Sequence, residues 1–199
     1  MAGDAEFWEE AYRTGQDGWE LGEPSPPLVR ALGALPPGEA AVVLGCGRGH
    51  EARAAASAGW TRVLAVDFAP SAIAGALRLS AGVAGAERIE WRRQDLFTLG
   101  ATDPGRFDLC IEHTCFCAID PDRRGEWAEV VRTALRPGGA LVALFYAHGR
   151  PGGPPFTTDR AEVLRLLGGA GLRVDQIEIP ADSVARRETE ELLVVARRT

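Results

Sequence analysis

The chain has 199 residues, a formal net charge of −6 and a hydrophobic fraction of 46%, which indicates one globular domain and excludes disorder, collagen and coiled coil as the main description. No apolar stretch reaches the ~18 residues of a membrane span. The acidic residues 1–10 lack the basic-then-apolar pattern of a signal peptide. We therefore expect a cytoplasmic protein that does not enter a membrane.

The charge balance excludes further classes. A sequence pI of ≈ 5.2 argues against a nucleic-acid partner. All 22 basic residues are arginine, so neither a Schiff-base lysine nor a phosphate-binding lysine is available. The cysteines are expected to be free thiols in a reducing compartment; they are Cys46, Cys110, Cys115 and Cys117.

The elements alternate in type along the chain. In the first 38 residues, which carry Trp8, Trp19 and a proline cluster, we predict a short helix beginning at Phe7 and a second helix over 28–35. The predicted strands are 40–44, 61–66, 88–91, 107–111, 140–146, 172–179 and 191–196. The predicted helices between them are 51–58, 70–81, 121–135 and 159–167.

Alternating strands and helices indicate βαβ units and a parallel sheet. The last two strands have no helix between them and should run antiparallel to each other. The predicted fold is a Rossmann-like, doubly wound α/β/α sandwich with a seven-stranded sheet and a final antiparallel hairpin. Ligands of such sheets bind outside the carboxyl ends of the strands.

The first two strand ends carry a glycine turn and an acid. Gly45 and Gly47 follow the first strand, where glycine lets the backbone turn tightly and approach a ligand. Asp67 ends the second strand, where a carboxylate can accept hydrogen bonds from ribose hydroxyls; a helix-capping Asp is the structural alternative. His50 replaces the third glycine of the dinucleotide pattern, which favours a ligand without a pyrophosphate.

The next two strand ends are also polar. Asp95 can accept a hydrogen bond from an exocyclic amine, and the Leu96 amide can donate to a ring nitrogen; a helix N-cap explains Asp95 equally well. Glu112 and His113 follow the fourth strand and are expected to face the same crevice. A lone histidine in this place is about as often structural as functional.

These four strand ends resemble those of a class I S-adenosylmethionine-dependent methyltransferase. Three segments are similar to the thiopurine methyltransferase superfamily and, within it, to the thiol, thiocyanate and halide methyltransferases: 7–27, 112–121 and 152–156. The resemblance implies S-adenosylmethionine as cofactor, S-adenosylhomocysteine as product, and a small soft nucleophile as acceptor. It also implies that residues 1–38 cover the cofactor and that residues 39–199 form the core of a single domain.

The resemblance assigns cofactor contacts to the covering segment and the strand ends. The implied cofactor-binding residues are Trp8, Trp19, Gly45, Gly47, Asp67, Phe68, Asp95, Leu96, Glu112 and His113. Leu44, Glu112, His113 and Cys115 stand where these families usually have Pro, Asp, Tyr and an aromatic residue. The last three differences lie where cofactor and acceptor would meet and weigh more against a halide acceptor than against methyl transfer.

His113 is the candidate catalytic residue, because an unperturbed histidine titrates near pH ~6.5 and could deprotonate or orient a thiol.

Phe145, Tyr146 and Phe156 are expected to form an apolar lid, with Arg150 as a possible anion contact or a solvated loop residue. Three cysteines lie near His113, but without a C-x-x-C pair we expect no metal.

Other functions stay open at this point. They are metalloid methylation (tellurite or selenite), methylation of a natural product, an NAD-dependent oxidoreductase, and a binding protein without turnover. The expected partner is a small-molecule nucleophile, and the expected state is a monomer or a dimer.

Overall fold

The computed structural model describes residues 5–199, and its centre is a seven-stranded sheet in the order β3-β2-β1-β4-β5-β7-β6. The strands are β1 (Ala40–Leu44), β2 (Arg62–Asp67), β3 (Ile89–Arg93), β4 (Phe107–His113), β5 (Leu135–Tyr146), β6 (Leu172–Glu178) and β7 (Glu191–Arg198). The strands from β3 to β5 in this order pair parallel, and β7 lies antiparallel between β5 and β6. The predicted α/β fold and its antiparallel hairpin are confirmed.

Helices lie on both faces of the sheet. They are α1 (Ala5–Thr14), α2 (Pro26–Ala34), α3 (His50–Ser57), α4 (Pro70–Ser80), α5 (Leu99–Thr102), α6 (Arg124–Ala134) and α7 (Arg160–Gly169). The predicted helix over 121–135 was too long at both ends. Residues 121–123 form a separate 3₁₀ turn capped by Asp120, and Leu135 already pairs with Phe107 as the first residue of β5, before a register shift.

Two apolar clusters sandwich the sheet. On one face Phe116, Trp127 and Phe145 meet edge to face, with ring centroids 4.9 to 5.8 Å apart. On the other face Leu28 and Leu32 of α2 pack with the alanines of α3 against β1 and β4. The middle strands are buried on both sides, as parallel strands between helices require.

The sheet's carboxyl edge is crossed by the start of the chain. Glu9 of α1 accepts hydrogen bonds from the Ser71 amide (2.9 Å) and hydroxyl (2.6 Å) at the beginning of α4. Helix α1 thereby lies above the ends of the parallel strands. Within residues 5–199, no helix combines the length and the apolar character needed to cross a membrane.

We expect the aromatic cluster of Phe116, Trp127 and Phe145 to contribute strongly to the free energy of unfolding. Trp127→Ala should lower the free energy of unfolding by about 3 to 5 kcal/mol, because it removes a fully buried ring and leaves a cavity. Leu77→Ala, at a side chain 53% exposed, is the control and should change it by less than about 0.5 kcal/mol. Urea unfolding of both variants measures the difference, and equal small effects would contradict this account of the core.

Candidate active site

A cavity of about 940 Å³ opens at the carboxyl edge of the sheet. Its walls come from the chain's first residues, from the ends of β1 to β4, and from the segments that follow β5 and precede β7. Nine of the sequence-predicted residues line it: Trp8, Trp19, Gly45, Gly47, Asp67, Phe68, Asp95, Leu96 and His113. Glu112 is not among the lining residues.

The glycine turn after β1 leaves no room for side chains. Gly45 and Gly47 have φ of +55° and +52°, in the left-handed region that favours glycine. A Cβ at Gly45 would lie 2.5 Å from the Cys115 sulfur, and one at Gly47 would lie 2.9 Å from the Tyr12 hydroxyl. The turn is therefore held between α1 above and the segment after β4 beside it.

Asp67 ties the glycine turn to β2. One carboxylate oxygen accepts from the Gly47 amide and the other from the Ala69 amide, each at 2.9 Å. Burial raises the pKa of Asp67 even though these amide hydrogen bonds lower it. The helix-capping alternative for Asp67 is wrong, because the N-cap residue of α4 is Ala69 and no side chain caps that helix. A carboxylate oxygen of Asp67 can still accept a second hydrogen bond from the cavity it lines.

Asp95, unlike Asp67, caps the turn that follows it. Its Oδ1 accepts from the Phe97 amide (3.0 Å) at the start of a 3₁₀ turn. The Arg123 guanidinium lies 3.6 Å from the centre of the Phe97 ring, which fixes the turn from outside. Asp95 and Leu96 still line the cavity.

Aromatic rings cover the cavity. The ring centroids of Trp8 and Trp19 are 5.1 Å apart, and those of Tyr12 and Trp19 are 5.5 Å apart. The Trp19 indole nitrogen donates to the Tyr12 hydroxyl at 3.2 Å. Burial, and then the negative charge of Asp67, raise the pKa of Tyr12 well above its usual value, so its hydroxyl stays neutral. Tyr12 is a cavity residue that the sequence did not single out.

Two arginines before β7 hold this cover, which we define as residues 5–25. Arg186 donates to the carbonyls of Gly18 (2.9 Å) and Glu20 (2.7 Å). Arg187 donates to the carbonyl between them, that of Trp19, at 2.7 Å. Three successive carbonyls of the cover are therefore fixed from one loop, a contact that no sequence motif indicated.

His113 has both ring nitrogens engaged. Nδ1 lies 2.8 Å from Glu51 Oε1, and Nε2 lies 3.0 Å from Arg187 Nη1. Because a guanidinium can only donate, Nε2 accepts and Nδ1–H donates to Glu51, which assigns a neutral ring. The arrangement leaves no ring nitrogen free to act as the base considered from the sequence.

Glu51 is the ionised partner of this ring. Burial opposes ionisation, but the interaction with His113, through its 2.8 Å hydrogen bond, and the hydrogen bond from the Ser25 amide (3.2 Å) lower the pKa of Glu51. The carboxylate therefore fixes the ring's orientation and tautomer. Glu51 lines the cavity, and no pattern in the sequence pointed to it.

The cavity wall formed by the segment after β5 differs from the sequence expectation in two places. Phe145 is buried in the aromatic core rather than in a lid, whereas Tyr146 and Phe156 line the cavity. Arg150 does not line it; its guanidinium binds the Tyr146 hydroxyl (2.7 Å) and the Glu190 carboxylate. The buried cation on the cavity wall is Arg187 instead.

The thiols of the cavity wall are protonated. Cys46, Cys115 and Cys117 line the cavity and are free, and burial raises the pKa of each, that of Cys117 to about 12. Within residues 5–199, no three His, Cys, Asp or Glu side chains are grouped as a metal site would require.

The sheet order and the glycine turn at its carboxyl edge define the class of fold, which is that of the class I methyltransferases. The same fold is found in a 1,6-didemethyltoxoflavin N1-methyltransferase of Burkholderia thailandensis solved with S-adenosylhomocysteine, which is 23% identical with a TM-score of 0.77 over 98% of this chain and 87% of that one. A TehB-like methyltransferase of Corynebacterium glutamicum is 19% identical, with a TM-score of 0.70 over 98% of both chains.

The chain belongs to the thiopurine S-methyltransferase family, whose model matches residues 3–197. It is 31% identical to thiocyanate methyltransferase 1 of Arabidopsis thaliana, over 94% of this chain and 82% of that protein. It is 32% identical to probable thiol methyltransferase 2 of the same plant, over 80% and 70%. It is 31% identical to the thiopurine S-methyltransferase of Pseudomonas fluorescens, over 83% and 82%.

The protein is therefore a methyltransferase that uses S-adenosylmethionine. Its own residues fit this cofactor. The cavity is long enough to run from the cover to the ends of β3 and β4, and the glycine turn is a cradle that a Cβ would fill. A buried carboxylate, Asp67, stands beside that cradle at the end of β2.

A pair of glycine substitutions tests the cradle. In Gly47→Ala the new methyl group would collide with Tyr12, so we expect S-adenosylhomocysteine to bind at least about tenfold more weakly. Gly82→Ala is the matched control: its φ is +75°, but a Cβ there meets no atom of residues 5–199 within 4 Å. Both variants carry the strain of a left-handed alanine, of order 1 kcal/mol. Calorimetric titration with S-adenosylhomocysteine should show weaker binding to Gly47→Ala than to Gly82→Ala. Equal affinities of the two variants would mean that the glycine turn is not part of the cofactor site.

Proposed function

We propose that this enzyme methylates small, soft anions: thiolates, hydrosulfide, thiocyanate and, with lower preference, halides. The observation that carries the proposal is the acceptor side of the cavity, where the buried cation Arg187 stands beside a histidine with no free nitrogen. A site of this kind attracts an ionised acceptor and supplies no proton acceptor at His113. The names of the thiol and thiocyanate methyltransferases among its relatives support the same class.

The cofactor side has a separate task. We propose that Asp67 and Phe68 contact the ribose, that Asp95 and Leu96 contact the adenine, and that the glycine turn lies under the methionine part. Trp8 and Trp19 exclude water and favour a cation by their ring quadrupoles, by about 0.5 to 2 kcal/mol each when desolvated. Bound S-adenosylmethionine supplies an electrophilic methyl group.

The acceptor side must align an anion with that methyl group. Cys117, Tyr146 and Phe156 give it weakly polar walls, which lower the hydration of an entering soft anion. His113 orients Arg187 through a 3.0 Å hydrogen bond. Proximity and orientation of this kind can contribute on the order of 7 to 11 kcal/mol to a bimolecular reaction, so methyl transfer needs few further groups from the protein.

We further propose a cytoplasmic location, a small-molecule partner rather than nucleic acid, and a monomer or dimer. Four free cysteines support a reducing compartment, and an acidic pI of ≈ 5.2 gives no electrostatic attraction to nucleic acid.

The acceptor class can be tested with the purified enzyme, S-adenosylmethionine and a panel of thiocyanate, hydrosulfide, iodide and small thiols, with methyl products measured by gas chromatography. For thiols, the midpoint of the pH–rate profile should follow the pKa of each thiol, because the thiolate forms before binding. A midpoint fixed near pH ~6.5 for every thiol would restore His113 as the base. Cofactor binding with no product from any anion would favour a metalloid or natural-product acceptor, or a binding protein without turnover.

Substitutions of two neighbouring arginines can distinguish a role in acceptor binding from a role in holding the cover. Arg186→Gln and Arg187→Gln both remove hydrogen bonds to cover carbonyls, but only the second removes the buried charge beside His113. We expect Arg187→Gln to raise the KM for thiocyanate about 10- to 100-fold more than Arg186→Gln does, as for loss of a charged hydrogen bond. Steady-state kinetics at constant pH measures this, and equal KM values would mean that Arg187 serves the cover alone.

A further inference from the structure

Glu112 is a buried carboxylate that lies behind the cavity wall. Its side chain is fully buried, and its neighbours across the sheet, Leu44 and Ala143, are apolar. Oε1 accepts a hydrogen bond from the Phe116 amide at 2.9 Å, whereas Oε2 has no hydrogen-bond partner among residues 5–199. Burying such a group is unfavourable unless its hydrogen bonds compensate, so the bond to Phe116 is the contact that accounts for it.

That bond closes a strained turn. Thr114, between Glu112 and Phe116, has φ of +58°, an unusual conformation for a β-branched residue that persists only where the surroundings impose it. Phe116 is fixed on its other side by the rings of Trp127 and Phe145, each 4.9 Å away. Glu112 therefore holds the turn from below while the aromatic core holds its far end.

The turn of residues 114–117 contacts both the glycine turn after β1 and the segment around Phe156, so its position fixes two sides of the cavity. The Cys115 side chain packs against Gly45 so closely that a Cβ there would lie 2.5 Å from its sulfur. The Cys117 thiol donates to the Thr114 carbonyl (3.1 Å), and the Cys117 carbonyl accepts from the Phe156 amide (2.7 Å). Displacing this turn would shift the acceptor wall relative to the glycine turn.

We propose that Glu112 is a positioning residue for methyl transfer: by accepting the Phe116 amide it fixes the 114–117 turn, and through that turn the distance between the acceptor wall and the cofactor cradle. Glu112 touches neither ligand. The proposal rests on the acceptor class proposed above, because the wall that it positions is the acceptor wall.

The ionisation of Glu112 gives the proposal a pH signature. Burial raises the pKa of Glu112 to about 7, although the nearby amides of Phe116 and Cys115 and the neighbouring His113 lower it. The other titratable groups that interact with it are Glu51 and the thiols of Cys110, Cys115 and Cys117. A carboxylate accepts an amide hydrogen bond more strongly than a carboxylic acid does, so the turn is held more firmly above pH 7.

The raised pKa of Glu112 makes the folded protein less stable at high pH, although it makes the hydrogen bond to the turn stronger there. The unfolded value is about 4.5, so between pH 4.5 and 7 the folded protein binds the proton that the unfolded chain releases. The stability due to this group is therefore complete below pH 4.5 and is lost as the pH rises through about 7.

The experiment compares Glu112→Gln and Glu112→Ala with the wild type, using thiocyanate because it stays ionised throughout. In the wild type, the KM for thiocyanate should fall severalfold from pH 6 to 8. Glu112→Gln keeps a carbonyl acceptor for Phe116 and should flatten this profile. Glu112→Ala should raise the KM about tenfold at every pH, as for loss of a charged hydrogen bond, with a smaller change in affinity for S-adenosylhomocysteine. Glu129→Gln, at an exposed residue of α6, is the matched control and should follow the wild type.

Thermal unfolding provides a readout that needs no turnover. From pH 5 to 8, the Tm of Glu112→Gln should rise relative to the wild type, because the substitution removes the unfavourable ionisation. If no anion is methylated but this Tm difference is seen, the acceptor class fails and the burial of Glu112 stands. If thiocyanate is methylated and the pH profile of the KM for Glu112→Gln matches that of the wild type, the positioning role is wrong. If Glu112→Ala does not fold, the pH profile of Glu112→Gln alone decides whether Glu112 has the positioning role.

Discussion

The guanidinium of Arg187 is the contact on which the closed site depends. It donates to the Trp19 carbonyl of the cover, lies 3.0 Å from His113 at the end of β4, and lies 3.4 Å from Glu191 at the start of β7. Segments that are far apart in sequence thereby meet at one cation. Because Arg187 is buried, these contacts are poorly screened by water, and loss of one leaves a buried charge that its remaining partners must satisfy.

The charges around that cation support the proposal of an anionic acceptor. Glu51 is ionised and bound to His113, and the His113 ring is neutral, so Glu191 is the carboxylate that faces Arg187 directly. At 3.4 Å that contact is longer than the hydrogen bonds that Arg187 makes with the cover and with the ring. Because Arg187 lines the cavity and Glu191 is not among its lining residues, an anion that enters the cavity can pair with Arg187.

Much of this site could be predicted because parallel strands bring their carboxyl ends to one edge, which places Gly45, Asp67, Asp95 and His113 together. The alternation of side chains along a strand could have shown that the neighbours Glu112 and His113 would not both face the cavity. No local pattern announces Arg186 and Arg187, because their partners are backbone carbonyls at the other end of the chain. The four-residue helix α5 was also missed, since its Leu-Gly-Ala-Thr sequence is too short for a helical period.

The contacts of the cover suit a segment that must open for a cofactor. Helix α1 buries Ala11 and leaves its other side chains partly or fully exposed, so little apolar packing holds it to the core. Polar contacts hold α1 and the rest of the cover instead: Glu9 with Ser71 in the helix, and Asp17 with Arg48 (2.8 Å) after it, besides the carbonyls bound by the two arginines. Hydrogen bonds to charged groups such as these contribute about 1.5 to 3 kcal/mol each. Their loss leaves the apolar clusters on the two faces of the sheet intact, so the cover can detach while the sheet and its aromatic core stay folded.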